Sequence, residues 1–271
     1  MKIEKYNQRL LALLGTIGTI FLVIALFAFI GLISKEYNSY NSYEEEDGIL
    51  SDEKVEKLQE ENKRKQLISF ENLRLIDTLN SIYIIPVSQK TLNQEENING
   101  LLGIGKNSSY QSSSSRYSKS FYGTFNNLIV YESKTGKNRK LFNNRVNFDR
   151  IETEYFNDDI LLLMKVAEKD TSKDGVINLQ DLKSLYIYSL RKEKLKKISL
   201  ENMDVSNFEF LNKEKNISIL FGIDKDKNGE FEQYREPTII KKYNYSKELL
   251  ENLIDKKIVL ELQETLEGTK K

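Results

Sequence analysis

In the stretch DTSKDGVINLQD, residues 170–181, oxygen-bearing side chains recur at alternate places around a glycine. Asp170, Ser172, Asp174, Asn178 and Asp181 hold the first, third, fifth, ninth and twelfth positions, with Gly175 sixth. Short carboxylate, hydroxyl and amide groups at this spacing suit a hard cation. Calcium takes about six to eight oxygens at roughly 2.3–2.6 Å, and a glycine in the sixth place permits the turn that aims successive ligands inward. The expected ligands are Asp170, Ser172, Asp174, the Val176 carbonyl, Asn178 through a water, and Asp181. Asp in the closing place reaches less far than Glu, which favours monodentate and weaker ligation. Magnesium fits less well, because an all-protein oxygen cage is not its habit.

A second stretch, DKDKNGEFEQYRE at 224–236, offers Asp224, Asp226, Asn228, the Glu230 carbonyl and Glu232. Its twelfth residue is Arg235, which cannot be a ligand, and Glu236 follows one place later. Either this loop holds one extra residue with Glu236 as its closing acid, or the site is degenerate. An acidic glycine turn that only joins two strands would show the same residues.

The loops sit inside a longer repeat. ILLLMKVAEKDTSKDGVINLQDLKSLYIYSL is echoed by ISILFGIDKDKNGEFEQYREPTIIKKYNY. Each copy is an apolar run, an acidic glycine loop, a closing acid and a Tyr-bearing run. Tyr188 follows Asp181 by seven residues and Tyr243 follows Glu236 by seven, while Asp170 and Asp224 lie 54 apart. The flanks are too short and too β-like for helices. Further runs rich in Ile, Tyr, Phe and Leu (QLISF, SIYIIPVSQ, NLIVYES, RKLF, KLKKIS, NFEFL) punctuate the chain from residue 66 onward. Asn, Gly and Lys turns separate them, as expected of strands. SKELLENLIDKKIVLELQETLE at the end has helical period, with Leu249, Leu250, Leu253 and Ile254 on one face.

In ligand order the first loop resembles an EF-hand loop, but its β flanks are closer to the calcium hairpins of FG-GAP-type propeller repeats. The strand, loop, LYIYSL and RKEKLKKIS order also resembles WD40-like and TolB-like propeller repeats of bacterial envelope proteins. That resemblance covers residues 126 to 245 and implies blades of antiparallel strands with the calcium loop joining two neighbours. It also implies Asn178 and Glu232 as ninth-place ligands, with Asp181 and Glu236 optional. Blades at 67–142, 151–199 and 205–250 are fewer than the roughly four to eight of a closed propeller. The expected fold is therefore mainly β, either antiparallel propeller-like blades or an open sheet or sandwich. An N-terminal transmembrane helix and a short C-terminal helix complete it.

Residues 10–33 contain no charged residue, enough for a tilted helix to span a bilayer core that needs about 20. Lys2, Lys5 and Arg9 precede this span and Glu44, Glu45, Glu46 and Asp47 follow it. The positive-inside rule then places residues 1–9 in the cytoplasm and the domain 67–271 outside, in a periplasm or other extracytoplasmic space. No small-residue cleavage site follows the apolar stretch, so an uncleaved single-pass anchor is expected in the inner membrane. Residues 34–66 form a linker with a charged helix from Ser51, and the serine-rich 107–120 a mobile loop.

Neither histidine nor cysteine occurs, which excludes imidazole bases, thiolate nucleophiles and Cys/His zinc sites. The 41 basic and 41 acidic residues balance, giving no electrostatic reason to expect nucleic acid. GLLGIG at 100–105 matches neither a dinucleotide nor a phosphate loop, and no G-x-S-x-G elbow is present. The expectation is a non-enzymatic, calcium-stabilised, membrane-anchored protein that presents a β-rich surface to a protein partner. The alternatives are a subunit of a larger envelope membrane assembly and an envelope hydrolase using carboxylates or a Ser/Lys pair.

Overall fold

The computed structural model describes residues 14–16, 18, 22, 26, 48–60, 66–91, 119–212 and 214–268. The chain divides into two units, Met1–Asp47 and Gly48–Lys271. In the first, residues 14–16, 18, 22 and 26 are helical, while the rest of the expected 10–33 span and the linker up to Asp47 lie outside the described residues. So does most of the serine-rich stretch. Among the described residues, no helix is long and apolar enough to cross a membrane.

The second unit is mainly β. In chain order its elements are β1 (Ile49–Leu50), α1 (Asp52–Glu60), β2 (Gln66–Phe70), β3 (Arg74–Asp77), β4 (Ile82–Thr91), β5 (Ser120–Phe125) and β6 (Asn127–Glu132). Next come β7 (Lys137–Lys140), β8 (Phe148–Tyr155), β9 (Ile160–Ala167), β10 (Val176–Ile177), β11 (Lys183–Ser189) and β12 (Lys194–Ile198). The last are β13 (Met203–Phe210), β14 (Ile217–Ile223), β15 (Thr238–Asn244), β16 (Leu249–Asn252) and α2 (Lys256–Glu267). Every strand pairing is antiparallel.

Besides the two-stranded β1-β10 sheet, three larger antiparallel sheets result. The first has the order β2-β4-β6-β7 with β3 also on β4, the second β12-β11-β9-β8-β5, and the third β13-β14-β15-β16. The strand alternation explains how they pack. Successive side chains of a strand point to opposite faces, so β9 with its run ILLLMKVA must be covered on both. Leu162 and Met164 enter one core with Ile76, Ile84 and Leu128 of the first sheet and Phe125, Phe148 and Ile151. Leu161 and Leu163 enter a second core with Val205, Ile217, Ile219 and Phe221 of the third sheet. All four β9 side chains are fully buried. The second sheet is therefore the middle layer of three. A fully buried side chain of this size contributes about 1.5–3 kcal/mol, so β9 anchors both interfaces.

One difference from the sequence expectation has a clear cause. Residues 249–252 are strand, not the start of the C-terminal helix. Leu250 pairs with Tyr243 across a hairpin and packs into the second core, and that pairing and burial override a helical spacing. The helix starts at Lys256, where the Asp255 carboxylate caps it by accepting the Lys257 N–H. The second and third meanders also share one feature that the first lacks. In each, the acidic loop joins the second strand to the third. The corresponding place in the first sheet, between β4 and β6, carries residues 92–118 and then β5, which crosses to the edge of the second sheet.

Candidate metal centre

Each acidic loop leaves its strand at the edge of the ladder and returns to pair with it. Lys183 faces Ala167 across the first, and Thr238 faces Gly222 across the second. The backbone conformations match position by position. Lys173 and Gly175 have φ of +63° and +89°; Lys227 and Gly229, 54 residues later, have +62° and +87°. The eighth-place side chains hold the loops to the strands before them. Ile177 packs with Ala167, and the Phe231 ring lies over Gly222, where a Cβ would come within 2.3 Å of it.

The internal hydrogen bonds match as well. Asp170 Oδ2 accepts the Gly175 N–H at 2.9 Å, and Asp224 Oδ2 accepts the Gly229 N–H at 3.0 Å. Asp174 Oδ1 accepts from Val176 N, and Asn228 Oδ1 from Glu230 N, both at 2.8 Å. In both loops the first aspartate keeps one oxygen back. Oδ1 of Asp170 and Oδ1 of Asp224 are buried with no hydrogen-bond partner. A buried carboxylate oxygen without a donor is costly, on the order of 1–3 kcal/mol or more. A cation removes that cost.

The closing acids hold the backbone of their loops. Asp181 is fully buried, and its Oδ1 accepts from Thr171 N at 2.7 Å, Ser172 N at 3.0 Å and the Ser172 hydroxyl at 3.3 Å. Its Oδ2 accepts from Asn178 N at 2.9 Å. Glu236 does the same work in the second loop: Oε1 accepts from Lys225 N at 2.6 Å and Oε2 from Glu232 N at 3.0 Å. Lys225, Asp226 and Glu232 stand at the second, third and ninth places, as Thr171, Ser172 and Asn178 do. The one-residue delay of Glu236 is thus taken up by its additional methylene. The repeat offset changes from 54 to 55 at this point and stays there, through Tyr188 and Tyr243 to the turn residues Glu193 and Glu248, both at positive φ.

The second loop gathers its acids most tightly. Carboxylate oxygens of Asp224, Asp226 and Glu236 lie within 4.8 Å of one another. Asp224 is buried, Glu236 half-buried and Asp226 exposed, so the trio has one closed side and one side for entry. Glu232 is directed elsewhere, 3.1 Å from Arg235. Asn228 and Glu230 stay at the loop through their backbone contacts. In the first loop Asp174 Oδ2 accepts from the Asn178 amide, Asn178 Oδ1 accepts from Gln180 N, and the Ser172 hydroxyl turns to Asp181. Val176 pairs with Leu50 of β1, and the Ser51 N–H donates to the Gly175 carbonyl.

No family model matches the chain, and no curated protein matches it.

The Glu236 carboxyl is held below its ordinary value of 4.5, first by the Glu232 N–H and then by those of Lys225 and Asp226, against partial desolvation. A depressed folded value stabilises the protein above the unfolded value, and this contribution is lost as pH falls through the folded one. Glu236→Gln is expected to flatten the acid limb of stability as pH falls below the ordinary value of 4.5 in metal-free buffer. Thermal melts across that range check it; an unchanged acid limb would show that the carboxylate does not clamp the loop.

Away from the loops, Arg150, Glu152, Asn207, Phe208, Glu209 and Phe210 line an open groove of about 460 Å³. Burial pushes the Glu152 carboxyl up, with Arg150 and Lys165 opposing. Neither this groove nor the part played by Thr171 is signalled in the sequence. The Thr171 hydroxyl donates to the Gly229 carbonyl at 2.5 Å, 58 residues away, and no local pattern signals a contact of that separation.

Proposed function

We propose that this protein is a calcium-binding structural and interaction protein, anchored in a membrane, whose three stacked sheets act as propeller-like blades outside the cytoplasm. The observation that carries the reading is the unpartnered buried Oδ1 at the first place of both loops, beside the Asp224, Asp226 and Glu236 cluster. Two loops of matching conformation hold the same oxygen free of donors, and a divalent cation coordinated by oxygens is the chemistry that uses it. Calcium here stiffens the turn between two strands.

The surface for a protein partner is the outer face of the first sheet. Leu75, Tyr83 and Tyr131 stand in one cross-strand row there, the two tyrosine rings 6.3 Å apart. Neither apolar core includes them. The charge-free segment 10–33 supports the anchor, and the acidic residues after it support an extracytoplasmic domain.

The test is a thermal melt of the full chain in mild detergent, in EGTA and then in millimolar calcium. Calcium at 100-fold over its Kd is expected to add about 2.7 kcal/mol per site, with a clear rise in Tm. Magnesium at equal concentration should add less. An unchanged Tm in calcium would sink the metal reading.

A further inference from the structure

We propose that the two loops take up their cations as a coupled pair, with Thr171 as the residue through which occupancy of one reaches the other. This rests on the reading that both loops bind a cation. The loops belong to different sheets, yet they meet. Asp181, the closing acid of the first, forms an antiparallel backbone bridge with Glu230, the seventh-place residue of the second. Thr171 Oγ1 has two acceptors for its one proton, the Gly229 carbonyl at 2.5 Å and Asp181 Oδ1 at 3.0 Å, and itself accepts the Leu182 N–H at 3.0 Å. The approach leaves no slack: a Cβ on Gly229 would lie 1.9 Å from the Thr171 carbonyl oxygen.

These contacts connect the two ligand sets. A cation in the second loop fixes Asn228 and the Glu230 carbonyl, and so the peptide of Gly229 between them. That peptide orients the Thr171 hydroxyl. It also positions Asp181, whose carboxylate holds the N–H groups of Thr171, Ser172 and Asn178. Ordering the second loop therefore pre-orders the second, third and ninth places of the first, and the entropy of ordering is met once for two ions. Repulsion between two dications acts against the coupling, and the buried Asp181 carboxylate counters it. Thr171 supplies no ligand of its own, so its removal separates coupling from binding.

Calorimetric titration of the full chain in detergent with calcium chloride tests this. Wild type should bind two ions with a Hill coefficient above one. Asp224→Asn should remove one ion and weaken the remaining one by about 5–150-fold, the usual span of coupling between sites. Thr171→Val should keep two ions and bring the Hill coefficient to one, while Thr171→Ser, which keeps the hydroxyl, should restore it. Two independent ions in wild type, a single ion, or unchanged coupling in Thr171→Val would each overturn the inference and leave calcium binding standing. Absence of any bound ion would instead overturn the metal reading beneath it. Should Thr171→Val not fold, the Asp224→Asn titration alone decides whether the sites are coupled.

Discussion

Gly229→Ala is expected to destabilise the protein by about 3 kcal/mol or more, whereas Gly136→Ala should cost only about 1–2 kcal/mol. Both glycines have positive φ, +87° and +71°, so both substitutions meet the intrinsic left-handed penalty. What differs is the space around them. A Cβ at Gly136 meets nothing within 4 Å, while at Gly229 it meets the Thr171 carbonyl oxygen at 1.9 Å and its carbon at 2.3 Å. These are backbone atoms, and no rotamer change relieves the contact. The loops would have to part, losing the Thr171 to Gly229 hydrogen bond and the bridge between Asp181 and Glu230. Urea unfolding of the two variants checks the difference. Equal losses would mean that the loops do not touch in this way.

Leu162→Ala and Leu163→Ala should each cost about 2–5 kcal/mol, although the two residues are adjacent and face opposite ways. Both are fully buried, one against the first sheet and the other against the third. In a two-layer sandwich one of the two would face solvent, and its truncation would cost little. Chemical denaturation of both single variants therefore tests the layer order directly. A cheap substitution at either position would remove one of the three layers from the fold.

The strands that the sequence announces are those whose runs are rich in aliphatic and aromatic residues, whether buried, as in β9, or largely exposed, as in β2. QLISF and ISILFGI coincide with β2 and β14, and the apolar ILLLMKV lies within β9. The strands it conceals are short or charged. β8, FDRIETEY, buries Phe148, Ile151 and Thr153 but carries four ionisable groups besides its tyrosine, which gives it a solvated appearance. β16 is only four residues long and has a spacing that suits a helix equally well. The candidate site was legible in its ligand order and in the repeat, because both depend on local spacing. The part played by the closing acids was not. Whether Asp181 ligates or clamps depends on which N–H groups the turn brings to it, and that is a matter of dihedral angles. The contact between the loops was hidden for a simpler reason, since it joins residues of two different sheets.

The short strand β1 has a mechanical consequence. Ile49 and Leu50 pair with Ile177 and Val176, Ser51 N–H donates to Gly175, and the Gln66 and Gln89 amides both donate to the Gly48 carbonyl. A pull on the chain at Gly48 is therefore borne first by the exit of the first acidic loop and by the edge of the first sheet. A two-residue ladder is a weak link under tension by itself. Backed by a loop closed around an ion, as proposed above, it would become a clasp whose breaking force rises with calcium.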